Sequence, residues 1–278
     1  MNLGDAPVPG SAGAAPTTAL VFADGAPGYP VHEHVVVETP VAFEVGGISH
    51  VVMLASPLDL EDFALGFLFT EGLIDSAADL LDVESSSNGQ GTTLHLRVTA
   101  RCEARFKTRR RALAGRTGCG LCGTESLSEV RRSHGQVGAD AAAQVSMQAL
   151  SAATAGLLAR QPLQHLTGGV HAAAWCALDG SVLLVREDAG RHNALDKLIG
   201  ALLRAGTDVK GGFALITSRA SFEMVQKAAA AGIGLLAAVS APTQMAIESA
   251  DAAGLTLLGF VREGRATAYT HAHRLLEA

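Results

Sequence analysis

The sequence predicts an α/β protein built on a largely parallel sheet. From Met147 onward, β-rich runs alternate with runs of helical period, the pattern of strand–helix–strand units that cover a sheet on both faces. Nearer the N-terminus, two β-rich runs meet at Gly46-Gly47, a pair that tolerates positive φ and signals a hairpin. Hydrophobic residues make up 48% of 278 positions, so the main body can bury one large core or two modest ones and is not a disordered chain.

Taken in order, residues 1–20 are rich in Ala, Gly and Pro and read as a flexible tail. Residues 21–100 are expected to form a small α+β domain. In it, Val35–Val37 and Val41–Val45 lead through the glycine pair to Ile48–Leu54. Ser56-Pro57-Leu58-Asp59 then opens a helix, with Ser56 as the cap and Pro57 at the first position. Phe63, Leu65, Phe67 and Leu68 give that helix an apolar stripe, and Gly72 ends it. A strand follows at 92–98. Residues 101–125 break the pattern with Arg101, Arg105, Lys107, Arg109, Arg110, Arg111 and Arg116, and read as a basic loop between domains. The stretch 126–278 is expected to be the larger α/β domain. Its helices fall at 147–160, around Leu195–Leu203, at 221–231 and at 243–253. Its strands fall at 171–178, 181–186, 213–217, 235–239, 256–261 and 266–270, antiparallel at the edges.

A net charge of −6 argues against a nucleic-acid partner. No apolar run of about 18 residues or more predicts a membrane helix. No basic stretch followed by an apolar one reads as a secretory leader. The expected location is therefore the cytoplasm, where the four cysteines stay mostly reduced.

The chemistry is expected at Gly118-Cys119-Gly120-Leu121-Cys122-Gly123. Two thiols in this spacing can share a metal, form a redox disulfide, or pass sulfur between them; the flanking glycines keep them accessible. A free thiol titrates near 8.5, so little is thiolate at neutral pH. One cation at about 6 Å favours the anion by about 3 kcal/mol before solvent screening, and the arginine run stands just upstream. No second C-x-x-C completes a zinc site, and no permanently bound metal is expected.

Several strand ends carry polar clusters. Gly168-Gly169 precedes His171, whose His-Ala-Ala run resembles the zinc-deaminase H-x-E pattern without its glutamate, Ala173 standing there. Arg186 to Lys197 spans a strand end and a helix N-terminus, a junction that attracts phosphate, and Arg191, His192 and Asn193 add donors. Ser218 and Arg219 mark a second junction, and Ser240 to Thr243 a third. Ligands collect at the carboxyl ends of parallel strands, so these junctions predict one anion-binding crevice, to which Arg262 and Arg265 add guanidiniums. Neither a dinucleotide fingerprint nor a P-loop occurs.

The ordered set Cys119–Gly123, Thr167–Ala173, Glu187–Lys197, Ser218–Glu223 and Gly259–Arg262 resembles the formate dehydrogenase accessory sulfurtransferase family, from about Val35 to His271. The resemblance implies a larger domain of cytidine-deaminase-like, three-layer fold. It also implies a sulfurtransferase that takes persulfide sulfur from a cysteine desulfurase and delivers it to the molybdenum cofactor, bis-molybdopterin guanine dinucleotide, for formate dehydrogenase. Carried onto this chain, Cys119 is the persulfide carrier and Cys122 positions or resolves the persulfide. Phe260, Val261, Arg262, Glu263, Gly264 and Arg265 contact the guanine dinucleotide. The basic loop is expected to fold over the bound cofactor, and a homodimer follows from family likeness alone. The rival readings are a cofactor-binding chaperone with a structural metal and a dithiol redox protein.

Overall fold

The computed structural model describes residues 11–113, Val137 and residues 144–276; of residues 11 and 109–113 it describes the backbone. In chain order, strands β1 (Ala14–Val21) and β2 (Tyr29–Val36) pair as an antiparallel ribbon. Next come β3 (Thr39–Val45), β4 (Ile48–Ala55) and helix α1 (Leu60–Thr70). Then follow β5 (Leu80–Asn88), β6 (Gly91–Val98) and α2 (Ala100–Leu113). The larger lobe holds β7 (Val145–Ser146), α3 (Met147–Leu158), α4 (Pro162–Thr167), β8 (His171–Ala177), β9 (Val182–Asp188) and α5 (Arg191–Ala205). It continues with β10 (Gly212–Ile216), α6 (Phe222–Ala230), β11 (Leu235–Ala238), α7 (Gln244–Ala253), β12 (Thr256–Arg262), β13 (Arg265–Ala268) and β14 (Leu275–Leu276).

The smaller sheet has the order β4-β3-β6-β5. Its β3–β4 hairpin turns at Gly46 and Gly47, whose φ values of 58° and 76° need glycine. Phe43 of β3 packs edge-on against Phe63 of α1, with ring centroids 5.2 Å apart, and this aromatic group centres the core of the smaller lobe. The larger sheet has the order β13-β12-β11-β10-β8-β9. Strands β10, β11 and β12 run parallel, flanked by antiparallel partners, as the alternation of strand and helix signals predicts. Two cores separate its faces. Leu195, Leu198, Val225 and Ala250 of α5, α6 and α7 fill one; Ala149, Leu150, Ala153 and Leu157 of α3 fill the other.

Three local expectations change. Residues 14–20 lie in the segment read as a tail, yet with Val21 they form β1: every residue of the strand has a partner on β2, from Ala14↔Val36 to Val21↔Tyr29. The stretch from Arg101, expected as loop, begins as α2. Its Arg, Lys, Ala and Leu are good helix formers, and Lys107 pairs with Glu103 one turn earlier at 2.7 Å. Ser56 does not cap α1. Asp59 occupies that position with φ 52°, and the whole Ser56 peptide turns instead toward the larger lobe.

That turn reveals how the lobes join. Helices α1 and α5 cross at Gly66 and Gly200; a Cβ on Gly66 would stand 1.8 Å from the Asp196 carbonyl oxygen, and one on Gly200 would stand 1.9 Å from that of Asp62. Buried polar groups flank the crossing. Lys197 and Asp188, both fully buried, pair at 2.7 Å. Ser56 donates its N–H to Asp188 at 3.0 Å and its carbonyl accepts from Lys197 at 2.9 Å. At the preceding position of α5, Asp196 accepts from Lys227 at 2.9 Å and from the Thr70 hydroxyl at 2.8 Å. Because both contacts at the crossing are to backbone, neither helix can yield locally. Gly200→Ala is expected to lower unfolding free energy by about 2–3 kcal/mol in a denaturant titration, the usual cost of overpacking. An unchanged midpoint would mean that the helices slide apart freely.

Candidate functional site

The sheet register gathers the predicted strand ends. His171 opens β8 opposite Asp188 at the end of β9. Ala173 lies opposite Ile216 of β10, Ile216 beside Ala238 of β11, and Ala237 beside Leu258 of β12. The carboxyl ends of β9, β10, β11 and β12 and the start of β8 thus share one edge. Helices α5, α6 and α7 start from it, at Gly190, Ser221 and Thr243.

At that edge stand Arg191 and His192, in the first turn of α5, facing the first turn of α6. His192 Nε2 lies 3.7 Å from Glu223 Oε2. The Ser221 hydroxyl donates to the same carboxylate oxygen at 2.8 Å. Arg191 Nε and His192 Nε2 are shielded from solvent and have no hydrogen-bond partner among the described residues. A shielded donor without a partner is costly, and such groups concentrate where a ligand completes them. Burial, aided by the Arg191 charge, pushes the His192 imidazole down to about 4 against the pull of Glu223. Burial and then Arg191 lower His171 as well. Burial opposes the Glu223 anion, yet Ser221, its own backbone N–H, His192 and Arg191 hold it below the ordinary range. Near neutral pH the edge therefore carries a guanidinium, two uncharged imidazoles and a carboxylate.

The rest of the Glu187–Lys197 segment faces inward. Glu187 accepts the Leu163 and Gln164 N–H groups at 3.0 and 2.9 Å and so caps α4. Asp188 shapes the turn before α5 by accepting from Gly190 N–H at 2.7 Å. Asn193, expected among the ligand donors, is 4% exposed. Its amide goes to the Leu54 carbonyl at 2.8 Å and to Asp188 at 3.0 Å. Ser218 is buried, its hydroxyl given to the Arg219 carbonyl at 3.1 Å, while Arg219 is exposed.

The last stretch divides in the same way. Phe260 has φ 52°, a left-handed conformation rare for a bulky residue and of the kind that concentrates at functional sites. It is partly exposed, and its N–H is tied to the Ser240 carbonyl at 3.1 Å. Gly259 makes this possible, since a Cβ there would stand 2.9 Å from both Pro242 and Tyr269. Val261, by contrast, is buried in the core on the α3 face. Arg262, Glu263, Gly264 and Arg265 form an exposed turn, held where the Gly264 N–H reaches the Ser151 hydroxyl at 3.0 Å.

Cys119, Cys122 and Arg116 lie outside the described residues, as do the side chains of Arg109, Arg110 and Arg111 of the basic run. The earlier part of that run is not a free cationic surface. Arg101 pairs with Asp79 and Asp75, and Arg105 with Asp75, all between 2.9 and 3.1 Å. Among the described residues no group of three or more His, Cys, Asp or Glu is arranged to hold a metal. A cavity of about 260 Å³ sits at the opposite end of α5, lined by Ile199, Leu202, Leu203, Thr207 and Val209, with apolar walls and no titratable group. Glu223 ends the Ser218–Glu223 stretch of the resemblance but was given no role there; its signal is its place in the first turn after the Ser218–Ser221 junction.

The model of the FdhD/NarQ family matches residues 36–276. The chain belongs to that family. Relatives named sulfur carrier protein FdhD include one from Bordetella petrii, 54% identical over 87% of this chain and 87% of its own. Another, from Variovorax paradoxus, is 51% identical over 99% of this chain and 98% of its own. A crystal structure from Desulfotalea psychrophila, described as that of a candidate formate dehydrogenase accessory protein, shares the fold. Its TM-score is 0.75 at 22% identity, over 95% of this chain and 99% of that one. No helix among the described residues is long and apolar enough to cross a membrane.

The buried imidazoles give a pH prediction. His192 binds its proton near pH 4 in the folded protein and near 6.5 when unfolded, so between those values the unfolded chain holds more protons. Stability is therefore expected to fall as pH drops through 6.5 toward 4, with Arg191, Glu223 and Lys227 as the charges that act on this group. His192→Gln should flatten that part of the curve in denaturant titrations; an identical slope in the variant would show that the imidazole is not held neutral.

Proposed function

We propose that this protein is a cytoplasmic sulfurtransferase that serves formate dehydrogenase. It accepts persulfide sulfur from a cysteine desulfurase on Cys119 and passes it to the molybdenum cofactor, bis-molybdopterin guanine dinucleotide, held at the carboxyl edge of the larger sheet. Family membership and relatives named as sulfur carriers over nearly the whole chain support the first half. The observation that carries the second is the unpaired, shielded Arg191 Nε on the same sheet edge as Phe260. A guanidinium suits phosphate oxygens and a partly exposed aromatic ring suits a heterocycle, and a guanylated pterin offers both.

The chemistry balances without a resident metal. The Cys119 thiolate attacks the outer sulfur of the donor's cysteine persulfide; a new S–S bond forms on Cys119 and the donor cysteine leaves as thiolate. In the resolving role, the Cys122 thiolate then attacks Sγ of Cys119. The outer sulfur departs as hydrosulfide, a soft ligand for the acceptor's metal, and the remaining Cys119–Cys122 disulfide is reopened by a dithiol reductant. Arg191 and the exposed turn at Arg262 and Arg265 hold the acceptor meanwhile.

The test incubates the full chain with a cysteine desulfurase and cysteine, then locates added sulfur by intact mass and peptide mapping. Wild-type protein is expected to gain sulfur on Cys119, and Cys119→Ala to gain none. A Cys119→Ala variant sulfurated to the same extent would overturn the assignment. A thiol pair that only cycles to a disulfide would favour a redox protein, and about one tightly held zinc per chain would favour a chaperone with a structural metal.

A further inference from the structure

The edge carries one group that an anion site has no use for. Glu223 stands in the first turn of α6, facing Arg191 and His192 of α5. A carboxylate beside a phosphate site repels the ligand it is meant to hold. As a simple first-turn acid it would favour the helix dipole from the surface, with no reason to face a second helix start. Its geometry is that of a fixed acceptor. Oε2 is pinned by the Ser221 hydroxyl at 2.8 Å. His192 Nε2 lies beyond hydrogen-bond reach at 3.7 Å and does not neutralise it.

We infer that Glu223 determines specificity for the 2-amino-4-oxopyrimidine edge, the pair of adjacent N–H donors shared by guanine and pterin. The inference rests on the nucleotide-binding reading above and assigns it a base-reading residue. An ionised carboxylate accepts two hydrogen bonds side by side, and this edge offers a ring N–H next to an exocyclic amine at matching spacing. Adenine presents a ring acceptor there instead, and hypoxanthine lacks the amine. Arg191 takes the anionic part of the ligand, so the two charges divide it: carboxylate to the base edge, guanidinium to the phosphates. The pinning by Ser221 matters because an acceptor already held in place loses little freedom when the base arrives.

Isothermal titration of the full chain with GDP, IDP, ADP and free pterin tests this, on wild type, Glu223→Gln and Ser221→Ala. Wild type is expected to prefer GDP to IDP by roughly tenfold to a hundredfold, the range of a charged hydrogen bond. Glu223→Gln should bring the GDP to IDP ratio close to one while leaving IDP affinity within a few fold, and Ser221→Ala should lie between. Loss of discrimination for GDP alone assigns the edge to guanine, and loss of pterin binding alone assigns it to pterin. Glu223→Gln with thermal stability and GDP to IDP ratio both unchanged overturns the inference and leaves the nucleotide reading standing. Wild type that binds neither GDP nor pterin overturns both.

Discussion

The ion pair between Asp188 and Lys197 is the contact on which the arrangement of the site depends. Removing two charges from water costs several kcal/mol each after relaxation, and their attraction offsets this only where further hydrogen bonds complete both groups. Here they do. Asp188 receives N–H groups from Ser56 and Gly190 and the amide of Asn193. Lys197 gives a hydrogen to the Ser56 carbonyl and lies 5.9 Å from the centre of the Phe63 ring. Three elements meet in this knot: the exit of β4, the end of β9 and the start of α5. Such a pair adds little net stability over a well-packed apolar contact, but it admits few alternative geometries. The Gly66–Gly200 crossing sets the distance between the lobes, and the buried pair sets their register.

The consequence at the sheet edge is a controlled distribution of charge. Glu187, Asp188, Asn193, Asp196 and Lys197 are all buried and internally engaged. The turn they shape delivers Arg191 and His192 to the surface of the crevice. Burial keeps the two imidazoles there uncharged, so Arg191 presents its positive charge without two cationic neighbours beside it. The strained Phe260 at the end of β12 follows the same logic. Its backbone is fixed by Ser240 and by the lack of a side chain at Gly259, and the ring is thereby held partly exposed at the edge.

Much of the fold was legible because it is periodic. The parallel strands β10, β11 and β12, the helices between them and the Gly46-Gly47 hairpin each declare themselves within about ten residues. The failures were of two kinds. Strand β1 and helix α2 were hidden by composition: Ala, Gly and Pro suggest a tail, and clustered arginines suggest a loop, until a pairing strand or acids such as Asp75 and Asp79 are known to stand opposite. The inward engagement of Asn193 was illegible for another reason. A polar residue at a helix start reads the same whether it awaits a ligand or a carbonyl from a distant strand, and Leu54 is 139 residues away. No local pattern reports a contact of that separation.

The same distinction governs how the segment Glu187–Lys197 relates to function. Its length and polarity invite the reading that every member touches a ligand. The hydrogen bonds divide it into a majority that fixes the backbone and the lobe contact, and a minority, Arg191 and His192, whose Nε and Nε2 have no partner among the described residues. Under the proposed function both groups would act on the same crevice, by different routes. Loss of a ligand contact weakens binding and leaves the fold intact. Loss of the knot at Asp188 moves the turn that carries Arg191, frees the exit of β4 and exposes a buried charge at once. Loss of activity alone therefore cannot assign a role within this segment, whereas ligand affinity and unfolding free energy measured on the same variant separate the two.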